Sequence, residues 1–480
     1  MCNIFGKMIP DETELLTYAA GQAMDYLAGL PTRRVGATAG AEELTKLLGG
    51  PLPEAPTAPA ETVDLLTRAA NEGGVVASSG PRYFGYVVGG TLPVALAADW
   101  IAGAWDQNSG VFDLGPAVAT AEHIAAGWLL DLLGLPAGTS VGFPTGCAMA
   151  HVTALAAARH QVLTGVGWDV ERRGLREAPR VDVVVGEQRH LTVDLALRHL
   201  GFGTDQLRVV PADDEGRMRL DELESVLADC DGPTIVCAQV GDVNTGAIDP
   251  VGEICDLSHR HGAWVHVDGA FGMWAAASPA LRHLVAGIER ADSWATDAHK
   301  WLNVPYDCGL VFVAHPHAHR TAMLHARTDY LPPGTPAERD PIEWVADFSR
   351  RARSLPVWAA LRSLGRSGVA DLIDRCCANA RRFAELLDAL PGAEVLNEVT
   401  LNQVLVRFGD DDGVTQDVIA RLQAGGVCWF GGTRWGGRAA MRVSVTSWRT
   451  TAADVDRTVE EIRNAVAAAT ATASPDPRTA

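Results

Sequence analysis

"TIVCAQVGDVNTGAIDPVGEICDLSHRHGAWVHVDGA" occupies residues 234–270. It opens with a β-branched apolar run, "TIVCAQVG" (234–241), and passes through the turn-rich "DVNTG". It then enters "PVGEICDLSHRHG" (250–262), whose apolar residues recur at helical spacing, and ends in a second short run, "AWVHVDG" (263–269). Strand, helix and strand in that order imply neighbouring parallel strands with the helix packed on a face of the sheet.

The same texture extends outward. "RVDVVVGE" (180–187), "LRVVPA" (207–212) and "GLVFVAH" (309–315) read as further strands, and "LDELESVLADC" (220–230) as another helix. From about 118 to 315 the chain is therefore expected to be a parallel sheet with helices on both faces. Beyond 350, "SLPVWAALRSLG" and "VADLIDRCCANARRFAELLDAL" read as helices, "LNQVLVRFG" and "AMRVSVTSW" as strands, and "TAADVDRTVEEIRNAVAAA" as a last helix. That makes a smaller α+β unit. The expected division is an N-terminal arm (1–75) that packs across a subunit interface, a large domain (76–350), a small domain (351–470) and a disordered tail (471–480). Within the arm, "PLPEAPTAPA" (51–60) reads as a connector.

Composition narrows the function. A formal charge of −19 argues against nucleic-acid or anionic-membrane partners, which need a basic face. Nine scattered cysteines without a CxxC pair indicate neither a disulfide framework nor a zinc knuckle, as in a cytosolic protein. No signal peptide or membrane-spanning run is read.

Only three of the 40 basic residues are lysines: Lys7, Lys46 and Lys300. Lys300 stands beside His299 in the apolar "SWATDAHKWLNVPYDCGLVFV" (293–313), at a strand end, where α/β sheets present ligands. A primary amine condenses with an aldehyde; a guanidinium does not. The plainer alternative is a structural pair with Asp297. Asp268 closes "AWVHVDG" beside small Gly269 and Ala270, placed to hold a pyridinium proton under a flat ring, or else to cap a helix. "GFPTGCAMAHVTALAAARH" (142–160) reads as a small-residue turn opening a helix. Its Thr145, Gly146, Cys147 and Ala148 amides and Thr145 hydroxyl suit a phosphate. His190 follows a strand and offers a stacking imidazole. Asn244 and Thr245 either touch the ring substituents or fix their turn.

This order of features, and "HVDGA" (266–270) joined to "DAHKW" (297–301), resembles the group II pyridoxal-phosphate-dependent amino-acid decarboxylases over roughly residues 75–465. The resemblance implies the α/β aspartate-aminotransferase fold (fold type I), with a seven-stranded, mostly parallel sheet, a smaller C-terminal domain, an N-terminal arm and a homodimer with its active site at the interface. It implies pyridoxal 5'-phosphate as cofactor and a small-molecule substrate, an amino acid. Carried over by position, Lys300 is the Schiff-base lysine, Asp268 the pyridinium partner and His190 the stacking residue, these three being catalytic. Ala270 takes the other ring face, and Gly146, Cys147, Ala148 and His299 fall at phosphate-binding positions. "RYFGYVVGG" (82–90) matches a substrate-pocket segment and nominates Tyr83, Phe84 and Tyr86.

Departures from the family matter for the product. The family's proton-donating loop tyrosine is replaced by Pro341, the nearest tyrosine being Tyr330, and Phe271 follows "HVDGA" where tyrosine is frequent. Loss of that donor accompanies decarboxylation coupled to oxidative deamination in such enzymes, giving an aldehyde. Similar enzymes of actinomycete antibiotic pathways, including lincosamide assembly, act on cysteine S-conjugates. The expectation is decarboxylation at Cα of an L-amino acid, with β-elimination and transamination as alternatives. Arg351 and Arg442 are candidate carboxylate or phosphate contacts, with a plain surface arginine the preferred reading of each.

Overall fold

The computed structural model describes residues 12–324 and 338–473. The large sheet contains β1 (Ser140–Gly142), β2 (Asp182–Gly186), β3 (Arg208–Val210), β4 (Thr234–Gln239), β5 (Trp264–Asp268), β6 (Ser293–Asp297) and β7 (Gly309–Val313), in the order β1-β7-β6-β5-β4-β2-β3. The ladders from β6 through β3 are parallel, and β7 runs antiparallel to both of its neighbours. This is the mostly parallel, seven-stranded sheet expected.

Alternation along the strands feeds two cores. Val183, Val185, Ile235, Cys237 and Trp264 point into one, under the helices Cys147–Gly165 and Leu191–His199. Val184, Val236, Val265 and Val267 point into the other, under Leu220–Ala228 and Val251–Arg260. Strands buried on both faces read as continuous apolar runs, which is why most were legible. β6 was not, because "SWATD" is half polar, yet every residue of it is buried.

The smaller sheet is antiparallel, containing β8 (Ala393–Val395), β9 (Gln403–Phe408), β10 (Gly431–Trp435) and β11 (Arg438–Ser444) in the order β10-β11-β9-β8. β8 and β10 are short and half-exposed, with little apolar signal. The two helices read after 350 join in one run, Ser354–Asp388, broken at Gly365 (φ 61°, ψ −178°). In the N-terminal part, helices occupy Glu12–Gly29, Ala41–Leu48 and Pro59–Ala69.

"RRARSL" is tied into the base of the large sheet. Arg350 makes a two-pronged ion pair with Glu122 (2.7 and 3.2 Å), both side chains fully buried. Arg353 reaches the Phe143 carbonyl at 3.3 Å, just ahead of the turn into the helix Cys147–Gly165. Among the described residues no helix is long and apolar enough to cross a membrane.

Candidate active site

The C-terminal ends of β2, β4, β5 and β6 lie along one rim of the sheet, and each carries a polar side chain at or just beyond it. Asp268 ends β5, Asp297 ends β6, and Lys300 follows three residues later. Gln239 ends β4, and His190 caps the helix that follows β2. Parallel strands end together, so residues far apart in sequence arrive at one rim.

Lys300 Nζ lies 3.0 Å from Asp297 Oδ2. Burial works to lower the Lys300 pKa, but the Asp297 carboxylate outweighs it and the net shift is upward. The pairing left open from sequence is therefore present, and it fixes the amine beside Asp297. Asp297 also accepts the Cys147 N–H through Oδ1 (2.7 Å) and lies 3.6 Å from His299 Nε2. That corrects one expectation: the Cys147 amide is already taken by a carboxylate. Those of Thr145, Gly146 and Ala148, at the start of the helix, have no partner among the described residues. Such first-turn amides are left over by helix geometry and favour an anion. Burial first, then the two aspartates, push the Cys147 thiol up, so it stays S–H.

Asp268 is 3% exposed. Oδ1 accepts the Ala270 N–H (3.1 Å) and approaches Cys147 Sγ (4.0 Å); Oδ2 faces His151 Nε2 at 3.5 Å. Burial alone would raise its pKa, but His151, His190 and Lys300 more than reverse this, and Asp268 stays ionised. Asp268 is thus no helix cap; its carboxylate faces the site.

His190 is held by its own cap. Nδ1 accepts from Thr192 N–H (3.4 Å) and hydroxyl (2.8 Å), so Nε2 carries the proton, and the His190 N–H donates to Gln239 Oε1 (3.1 Å). Burial lowers its pKa, leaving a neutral ring. Gln239 in turn donates to Asp242 (3.2 Å), whose Oδ1 gathers the amides of Asn244 (2.7 Å) and Thr245 (2.9 Å). Thr245 hydroxyl donates to the Glu215 carbonyl, and Asn244 Oδ1 accepts from Thr433. Both residues fix the turn, the plainer of the two sequence readings.

Segment 82–90 forms a wall. A Cβ at Gly89 would come within 1.9 Å of the Lys300 carbonyl, and one at Gly85 within 2.0 Å of the Trp429 ring, so only glycine lets this segment pass so close. Tyr83 and Tyr86 both stack on Trp429, at 5.2 and 5.8 Å. Phe84 is spent elsewhere, 1% exposed between Phe383 and Phe430 in the core. Arg442 is half-buried at this wall; its charge reaches His190, Tyr83 and Asp242, and it donates to the Val243 carbonyl at 3.2 Å. Arg351 is placed on the surface, paired with Asp99 (2.7 Å). Pro341 begins a buried turn, Pro341–Glu343, and Tyr330 lies outside the described residues.

Sequence reading missed Asp297 as an organiser and missed His151, Tyr306 and Asn303. Tyr306 packs on His299 with ring centres 4.2 Å apart and feels the Lys300 charge. Asn303 is fully buried in the left-handed region (φ 55°), which Asn tolerates better than most residues. Its Nδ2 donates to the Trp301 and Thr446 carbonyls (both 3.0 Å), and Oδ1 accepts the Trp448 N–H (2.9 Å), joining the lysine loop to the small domain. Asn303→Ala is expected to cost about 2–3 kcal/mol of stability, read as a lower urea midpoint at unchanged slope.

A buried carboxylate held ionised, an amine reachable from it, a neutral imidazole above and an anion-seeking helix start fit pyridoxal phosphate. The pyridoxal-dependent decarboxylase conserved domain matches residues 53–408. The chain belongs to that family. It is 31% identical over 400 residues to tryptophan decarboxylase 1 of Oryza sativa subsp. japonica, covering 76% of each chain. It is 30% identical over 329 residues to the cysteine sulfinic acid decarboxylase of Mus musculus, covering 66% and 65%. The crystal structure of Oryza sativa TDC with PLP and tryptamine superposes with a TM-score of 0.88 at 25% identity, over 95% of this chain and 98% of that one. This decarboxylase is therefore a pyridoxal-phosphate-dependent carboxy-lyase of fold type I acting on an amino acid. Its relatives' names span aromatic and acidic substrates, so membership alone does not fix the side chain.

Proposed function

We propose that this decarboxylase holds its cofactor through Lys300, Asp268 and His190, and that it releases at least part of its product as an aldehyde. The observation that supports the site is the convergence of those three side chains at the ends of β6, β5 and β2, each within electrostatic reach of the others. Bound pyridoxal phosphate supplies an electron sink for the bonding pair left at Cα when the carboxylate departs. Lys300 is the amine that links to it and yields to the substrate amine. Asp268 accepts the ring N–H, His190 covers one ring face and Ala270 lies against the other. Gly146, Ala148 and His299, with the Thr145 hydroxyl, receive the phosphate. Tyr83, Tyr86 and Trp429 shape the mouth, and Arg442 is the arginine placed to meet a substrate carboxylate.

The N-terminal segment through residue 75 serves as an arm in a homodimer. Exposed Leu16, Met24, Trp100, Ile101 and Trp105 give it and its neighbours an apolar surface for a second copy. The Arg-rich, Lys-poor composition and the Pro341 replacement support reading the chain as a natural-product enzyme of the kind that acts on cysteine S-conjugates.

With proline at position 341, no phenol is supplied there to protonate Cα after carbon dioxide leaves. The balanced outcome is amino acid, oxygen and water giving aldehyde, carbon dioxide, ammonia and hydrogen peroxide. Oxygen uptake and aldehyde are expected with a panel of L-amino acids, and Pro341→Tyr is expected to shift products toward amine. Stoichiometric amine without oxygen uptake refutes the aldehyde reading. Thiol release with a keto acid turns the assignment to β-elimination.

A further inference from the structure

We propose that a buried, one-way hydrogen-bond chain, Trp264–Ser293–His266–His151, ends on Asp268 and holds it as the anion that keeps the cofactor's ring nitrogen protonated. This deepens the reading of Asp268 given above and rests on it.

Two periodicities assemble the chain. Trp264, His266 and Asp268 alternate onto one face of β5, and Cys147 and His151 are one turn apart on the helix packed over that face. Ser293 is the register partner of His266 on β6. Trp264 Nε1 lies 2.9 Å from Ser293 Oγ, Ser293 Oγ 2.9 Å from His266 Nδ1, and His266 Nε2 2.9 Å from His151 Nδ1. His151 Nε2 then faces Asp268 Oδ2 at 3.5 Å. Ser293, His266 and His151 are 0% exposed.

Its direction is set at the far end. An indole N–H only donates. Ser293 accepts from it and passes its own hydroxyl hydrogen to His266 Nδ1. His266 Nε2–H then donates to His151 Nδ1, and the His151 Nε2–H is left facing Asp268 Oδ2 at 3.5 Å, with Cys147 Sγ at the same distance. Every group is satisfied, and every imidazole is neutral. Reversed, the Ser293 hydrogen has no acceptor among the described residues, and His151 Nε2 turns a lone pair to the carboxylate, with only the weak Cys147 S–H, also 3.5 Å away, to donate to it. Burial lowers the His266 pKa to about 3 and keeps that ring neutral. The chain ends on indole inside the protein, so it polarises and does not conduct protons.

The consequence lies in where one proton rests. A buried carboxylate facing a pyridine nitrogen takes the proton itself unless the anion is stabilised. Donors from His151 and Ala270 supply that stabilisation, and the proton stays on the ring. His151 and His266 are thus positioning residues. Cys147, His151 and Asp268 present ligating atoms within 4.8 Å of one another, a spacing a metal also uses, but the chain puts a proton on the His151 nitrogen concerned.

The test reconstitutes the enzyme with pyridoxal phosphate labelled with nitrogen-15 in the ring and compares wild type, His266→Gln and His266→Leu. A glutamine amide still donates to His151; leucine does not. Wild type and His266→Gln are expected to show a protonated ring nitrogen. His266→Leu is expected to move the resonance toward the neutral position and lower kcat about tenfold with KM changed less than about twofold. Identical resonances in the two variants overturn the chain. An unprotonated ring in wild type overturns the reading of Asp268 beneath it. If His266→Leu does not fold, Ser293→Ala, which removes one oxygen, is expected to move the resonance the same way, and an unmoved resonance overturns the proposal.

Discussion

Lys300→Ala loses all measurable turnover, about four orders of magnitude or more, and the purified variant keeps no covalently held cofactor. Borohydride reduction of the wild-type enzyme places the pyridoxyl group on the peptide that contains Lys300, and the variant yields no labelled peptide. Lys46 is exposed and paired with Glu42 at 2.7 Å, as surface helix lysines commonly are. Lys300 has a side chain only 20% exposed, an aspartate 3.0 Å away and a second carboxylate, Asp268, within electrostatic reach. The pair with Asp297 stores the amine protonated, so linkage to an aldehyde must first take that proton away. Lys300→Arg keeps the charge next to Asp297, and thereby most of the stability, yet has no amine that condenses; it is expected to be as inactive as Lys300→Ala. A label recovered on Lys46 would falsify the assignment.

What the sequence disclosed follows from what kind of information each feature needs. Strands buried on both faces announce themselves as β-branched runs, so β2, β4, β5 and β7 were readable. β6 was hidden because its polar residues, Ser293, Thr296 and Asp297, are buried for their partners and not for their own hydrophobicity. Lys300, Asp268 and His190 stood out through residue type at strand ends. Asp297 and His151 did not, since their meaning lies in who faces them. Phe84 misled for the same reason: sequence position places a residue on a segment, but which way it turns is decided by packing, whereas Arg351 follows the surface reading, held by the nearest opposite charge. Asn244 was ambiguous at sequence level; its N–H goes to Asp242 and its Oδ1 accepts from Thr433.

Asp268→Asn still binds cofactor, through Lys300 and the turn at Gly146, but its turnover falls by about three orders of magnitude. An amide carries no negative charge and cannot balance a protonated ring nitrogen beside a position as buried as Asp268. It also meets His151 badly: one face of the amide is a donor, and the chain from Trp264 already brings a donor to that point. That coupling gives the result a second, sharper form. With Asp268 present, His266→Leu is expected to slow turnover about tenfold; with Asn at 268 there is no anion left to stabilise, and adding His266→Leu is expected to change the residual rate by less than about twofold. Additive losses would mean that His266 acts by some route other than Asp268. A near-normal rate in Asp268→Asn alone would mean that the carboxylate only anchors the Ala270 amide and the strand end.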